Sequence, residues 1–242
     1  MTTESFSLKY ANRELSVQII RRDRKTLEIS VYPDMSIIVV APIFATQSKI
    51  VEKVRKRVWW ITKQIRFFNQ FHPRTPERKY VSGETHLYLG RQYRLKVLHP
   101  SQEREIKAVR MTRGYLEIRL EKPYRPATIK ALTEGWFRRQ ALVKFPERLE
   151  VCIRRFPSKD EYKPSGLVIR KMEKRWGSMT QSGGLILNSK LIHAPVDAID
   201  YVITHELCHL KYDEHSRRFF NLLKKIMPDW EKRKRRLELA LA

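Results

Sequence analysis

The stretch IDYVITHELCHLKYDEHSRRFF, Ile199 to Phe220, constrains the fold more than any other part of the chain. Val196, Ile199, Val202 and Ile203 recur at helical spacing after Pro195, with Asp197 in the first turn, so a helix with an apolar face opens here. His205 and His209 are four apart on that helix and stack on one side of it, a turn apart. His215 follows six residues later. A continuing helix would carry it about 9 Å further along the axis and off the face. To bring His215 back, the chain must leave the helix around Lys211–Glu214, where Asp213 is a fair turn residue. Ser216 can then cap a second helix, RRFFNLLKKIM.

Two imidazoles at this spacing can reach one zinc ion, and a hydrolytic zinc takes a third protein ligand while leaving a fourth position open. His205, His209 and His215 are the candidate ligands. Glu206 is rotated roughly 100° from His205 about the helix axis, too far round to share the ion and well placed to touch a water on it. That is the H-E-x-x-H arrangement, in which the glutamate takes a proton from a water made acidic by the metal. A glutamate third ligand stays open as an alternative, although no strong Glu-bearing helix follows downstream. Tyr212 stands where an H-E-x-x-H-x-x-G-x-x-H motif would need glycine for a left-handed turn, which argues against that class.

Around this site, 242 residues suffice for one large domain or two small ones. The excess of 50 Lys+Arg over 26 Asp+Glu gives a net charge of +24, spread over both halves of the chain. A surface of that sign attracts nucleic acid or acidic partners without specifying a fold. The longest apolar run, SIIVVAPIFA, is about half of what spans a bilayer, and MTTESFSLKY has no secretory character. Cys152 and Cys208 form no pairing framework. These features predict a cytoplasmic protein that does not enter membranes.

The coarse reading is α+β. VQII, LEISVY and SIIVV read as strands, followed by an amphipathic helix over residues 46–70 and a Pro-marked break at HPRTPER. A hairpin with Gly83 and Gly90 at its turns comes next, then a second with its turn at Arg113–Gly114. ATIKALTEGWFRRQALVKFPERLEVCIRRF reads as a long helix, kinked near Pro146. No repeat period is visible. The expected division is a β-rich N-terminal lobe, residues 1–123, followed by a catalytic domain, residues 124–242.

Beyond H-E-x-x-H, the motifs KRWGS (Lys174–Ser178), GGLILNSKLIHAP (Gly183–Pro195), EHSRRFF (Glu214–Phe220) and MPDW (Met227–Trp230) carry a resemblance to the YgjP-like zinc metallopeptidases. These are relatives of the SprT-like proteins in the wider zincin group. Fainter similarity lies in VWWITKQ and SGETHLYLGRQYRL. The resemblance implies a zincin-like catalytic domain, one zinc ion per chain on His205, His209 and His215, and Glu206 as general base acting on a protein or peptide substrate. It also implies that LILN is an edge strand along which a peptide could lie. Met179 stands where the family often has Cys, and Phe220 where it usually has Trp.

Three further residues are candidates for contacts to substrate or transition state: His193, Tyr212 and Asn188. The charge runs RRDRK, KVRKR and EKRKRR could bind phosphate, though such runs are commonly solvated faces. Two rival functions follow. One is a nucleic-acid-binding protein whose three histidines hold a structural zinc. The other is a peptidase acting on DNA-associated protein.

Overall fold

The computed structural model describes residues 3–10, 13–32, 34–69, 78–100, 109–173 and 175–241. They fall into two compact units that divide between residues 69 and 78. In the first, β1 (Thr3–Tyr10), β2 (Arg13–Arg22), β3 (Glu28–Val31) and β4 (Ile37–Pro42) form a sheet of order β1-β2-β4-β3. The outer pairs are antiparallel and β2 runs parallel to β4. Alternation along β2 and β4 turns Val17, Ile19, Ile37 and Val39 to one face, where they meet Ile50, Val54 and Ile61. Those last three belong to α1 (Gln47–Lys56) and α2 (Val58–Asn69), so the single helix expected over 46–70 is two helices parted at Arg57. Gln70, the end of that expectation, lies outside the described residues.

The second unit opens on the same wiring. β5 (Thr85–Tyr88), β6 (Arg91–Leu98), β7 (Val109–Thr112) and β8 (Tyr115–Arg119) form a sheet of order β5-β6-β8-β7, again with the inner pair parallel. A helix follows in both units, here α3 (Pro126–Ile153), which starts with proline at its first position and carries Pro146 inside it. Leu95 and Leu116 pair across β6 and β8 as Val17 and Ile37 do across β2 and β4. This repeat lies in strand pairing and not in residue identity, which is why no period shows in the sequence. It also moves the domain boundary. Strands β5–β8 share a core with α3 and with everything after it, so the division expected at Pro123 does not match the compact units.

Past α3 come β9 (Gly166–Arg170), β10 (Gly177–Met179) and β11 (Gly184–Asn188), a sheet of order β10-β11-β9. The strand LILN was expected at an edge and is instead the middle one, parallel to β9 and antiparallel to β10. A 3-10 turn, Ser189–His193, leads into α4 (Val196–Cys208), followed by α5 (Arg217–Ile226) and α6 (Trp230–Leu241). The tip of the β5–β6 hairpin docks on the entry to α4 through Leu89 N–H to Ile192 O and Gly90 N–H to His193 O. Gly90 has φ of 78°, and a side chain there would also meet Pro195 at 2.8 Å. Among the described residues, no helix is long and apolar enough to cross a membrane.

Candidate metal centre

Helix α4 is buried nearly all round from Ala198 to Cys208, and opens to solvent at its first turn and at the end bearing His205 and His209. It stops one residue before His209, which is its C-cap, and the chain turns through Leu210–Asp213. Ser216 then caps α5, its Oγ accepting from Phe219 N–H at 3.4 Å. This is the exit and return that His215 requires. The candidate ligand nitrogens of His205, His209 and His215 lie within 4.8 Å of one another, and Nε2 of His205 and of His215 are 2.9 Å apart. Beneath them Phe219, fully buried, holds its ring centroid 4.9, 4.6 and 4.8 Å from the three imidazoles.

The donor set fits a metal ion. His209 Nδ1 lies 2.9 Å from the Tyr212 carbonyl, which makes that nitrogen the donor and leaves Nε2 with its lone pair free. Burial pushes His205 down to about 3, aided by the neighbouring imidazoles, and lowers His215 as well. His205 and His215 are therefore held in the neutral form that coordinates metals. His205 Nδ1 is buried without a hydrogen-bond partner among the described residues.

Glu206 sits on the next face of α4, 8% exposed. Burial raises its carboxyl to about 7, against the lowering effect of a backbone hydrogen bond from Met179 and of the Arg175 charge. Its side chain lies flat on β10. A Cβ at Gly177 would come within 2.7 Å of Glu206 Cγ and 2.8 Å of Oε1, so the glycine of KRWGS gives the carboxylate its place. The sequence reading missed this role, and also those of Phe219 and Met179. Only the strand-to-helix packing reveals them.

A cleft of about 1020 Å³ opens over these groups. Its floor is α4, with Tyr201, His205, Glu206 and His209. One wall is Arg175–Gln181 of β10 and its flanks, and the other is α6, with Lys234, Leu237 and Glu238. The three secondary candidates do not line it. His193 Nδ1 is 2.6 Å from Leu87 O, and its ring stands edge-on to Phe137. Asn188, 2% exposed, donates to Met172 O and Arg175 O and accepts from Lys190 N–H, which clamps the loop before β10. Tyr212 contributes its carbonyl to His209. Cys208 is fully buried in the core, its thiol pushed up to about 12 by burial, and takes no part in the cleft.

A sequence model of the YgjP-like metallopeptidase domain matches residues 25–240. The chain belongs to the YgjP-like family. It is therefore a metallopeptidase, a hydrolase of protein or peptide substrates that works with a metal ion. No curated protein sequence matches it. Among solved structures, a crystal structure of the metallopeptidase zymogen of Pyrococcus abyssi abylysin overlaps 40% of this chain and 94% of that one, at 21% identity and a TM-score of 0.34.

Proposed function

We propose that this metallopeptidase is zinc-dependent, with His205, His209 and His215 holding the ion and Glu206 acting as general base. The observation that carries the reading is the convergence of three imidazole nitrogens within 4.8 Å, beside a buried carboxylate in one open cleft. Nitrogen-only ligation by three histidines suits zinc, and a set of three leaves a position for chemistry. The ion supplies Lewis acidity, making a water acidic enough to lose its proton near neutral pH and polarising a carbonyl.

The protein's own groups do the rest. Glu206 takes the proton of the attacking water and later gives it to the leaving nitrogen. Its anchorage on Met179 N–H and Gly177 fixes the direction of that transfer. The substrate's place follows from β10. Trp176 O and Thr180 N–H pair with β11, so the alternate residues Gly177 and Met179 turn their backbone groups outward. β10 is the edge strand on the cleft side, and an extended peptide can add to it there through the Gly177 N–H and C=O and the Met179 C=O, the Met179 N–H being held by Glu206. The strand addition expected of LILN is thus assigned to its neighbour.

Glu206→Gln tests the reading. It should abolish hydrolysis of an unfolded protein such as casein by the zinc-loaded chain while leaving zinc content at wild-type level. A structural zinc would be indifferent to the change, so retained hydrolysis would remove Glu206 as base.

A second reading, that the peptidase meets its substrate on nucleic acid, is favoured by one surface of the first unit. Lys49, Lys53, Lys56 and Arg66 are among seven exposed basic residues along α1, Arg57 and α2, against the single exposed acid Glu52. Trp59, 65% exposed, carries Lys63 Nζ 5.2 Å from its ring centroid. Exposed aromatic and basic groups together suit stacked, single-stranded nucleic acid. Reversing Lys53 and Arg66 to Glu should weaken binding to a labelled oligonucleotide at least tenfold at moderate salt. Unchanged affinity would refute the assignment.

A further inference from the structure

The charge run EKRKRR on α6 does not form one solvated face. Arg233 turns to Asp229 at 2.9 Å and towards Asp200, and Arg236 bonds Asp197. Trp230 stacks on Tyr201 with ring centroids 6.3 Å apart, and Leu237 is buried. Lys234 lies one turn after Trp230 and one turn before Leu237 and Glu238, so the anchors of α6 aim it at the same side of the helix. There it lines the cleft with His205, Glu206 and His215.

A cation lining the same cleft as a site for a divalent cation is repelled by it unless negative charge comes between them. The carboxylate nearest to hand, Glu238, stands 3.8 Å from the Lys234 ammonium, beyond ordinary hydrogen-bond length. That loose pair leaves ammonium donors available. The charge that arises in this cleft during hydrolysis is on the carbonyl oxygen under attack.

We propose that Lys234 is a catalytic residue, donating a hydrogen bond to the carbonyl oxygen as it becomes negative. The inference rests on the zinc-peptidase reading above. The water oxygen bonds to the carbonyl carbon, the π pair moves to the carbonyl oxygen, and the water's proton goes to Glu206. On collapse that pair re-forms the carbonyl and the C–N bond breaks. The leaving nitrogen takes the proton from Glu206, and Lys234 keeps its own protons throughout. A preorganised donor of this kind contributes about 10²–10³ in kcat, and a charge-assisted one binds an anion strongly.

Inorganic phosphate, a small tetrahedral anion independent of peptide specificity, is the probe. It is titrated into the cobalt-substituted full chain and followed by visible absorption, with cobalt affinity measured separately by competition with a chelator. Lys234→Met should weaken phosphate binding about tenfold or more, while cobalt binds as tightly as in wild type or several-fold tighter, because a repelling charge has gone. Lys234→Arg should keep phosphate affinity within about threefold of wild type. Glu238→Gln, which frees the ammonium, should strengthen phosphate binding. Equal phosphate affinity in wild type and Lys234→Met overturns the proposal, as does a loss of cobalt from Lys234→Met, the mark of a structural role. A wild type that takes up cobalt but not phosphate also overturns it. A wild type that takes up no cobalt overturns the zinc reading itself, and this proposal with it.

Discussion

Adding one methyl group at Gly177 should disable the enzyme while sparing its metal. A Cβ there would lie 2.7 Å from Glu206 Cγ, 2.8 Å from Oε1 and 3.0 Å from Cδ, where ordinary contact begins at 3.4 Å. The Glu206 side chain must retreat by about 0.7 Å at Cγ, which draws the carboxylate away from the position where Met179 N–H bonds it. Misplacing a catalytic group by about 1 Å costs on the order of 10²-fold in rate, and overpacking a buried contact costs about 1–3 kcal/mol of stability. Gly177→Ala should therefore lower kcat about a hundredfold on casein, lower the urea midpoint, and leave one zinc per chain. Glu206→Ala removes every clashing atom, so adding Gly177→Ala to Glu206→Ala should cost far less stability than adding it to wild type. A Gly177→Ala variant with kcat within twofold of wild type would refute the steric argument.

Acid should destabilise the second unit through His86, 1% exposed, whose imidazole burial holds down to about 4 against an ordinary 6.5. The unfolded chain then binds the proton before the folded one does, so stability falls as pH drops from about 6.5 to about 4, by roughly 3 kcal/mol. Urea unfolding across that range should show this loss, and His86→Leu should reduce it; an identical slope in both would assign the acid sensitivity elsewhere. Asp200, buried on α4, receives Arg148 at 2.8 and 2.7 Å and Arg155 at 3.0 Å, and so ties α4 to α3. Removing that carboxylate charge leaves two partly buried guanidiniums poorly matched, and Asp200→Asn should cost about 2–3 kcal/mol in urea denaturation.

The clustering of the three histidines was the most legible part of the sequence because its constraints are local. Four-residue spacing puts His205 and His209 on one face, and the need to return His215 fixes both the helix end and the Ser216 cap. The parts that were not legible depend on pairing between distant strands. LILN has the apolar run of a buried strand, but which strand lies beside it is not written in its periodicity. β10, which does form the edge, has only Gly177–Met179 to show, too few residues for an alternation signal. The domain boundary was misplaced for the same reason: β5–β8 look like a continuation of β1–β4 until their core partners in α3 are known. His193 and Asn188 sit near the site in sequence, yet their hydrogen bonds go to Leu87, Met172 and Arg175. Lys234, far along the chain and inside a charge run, reaches the cleft because Trp230 and Leu237 anchor the helix that carries it.

The central claim is that three histidines, one of them beyond the helix end, hold a catalytic zinc. Elemental analysis of the purified chain beside His215→Ala, after zinc is supplied and excess removed, tests it most directly. The account predicts about one zinc per chain in the wild type, lost or greatly weakened in the variant. A variant that keeps its full zinc would contradict the account, by removing His215 from the ligand set.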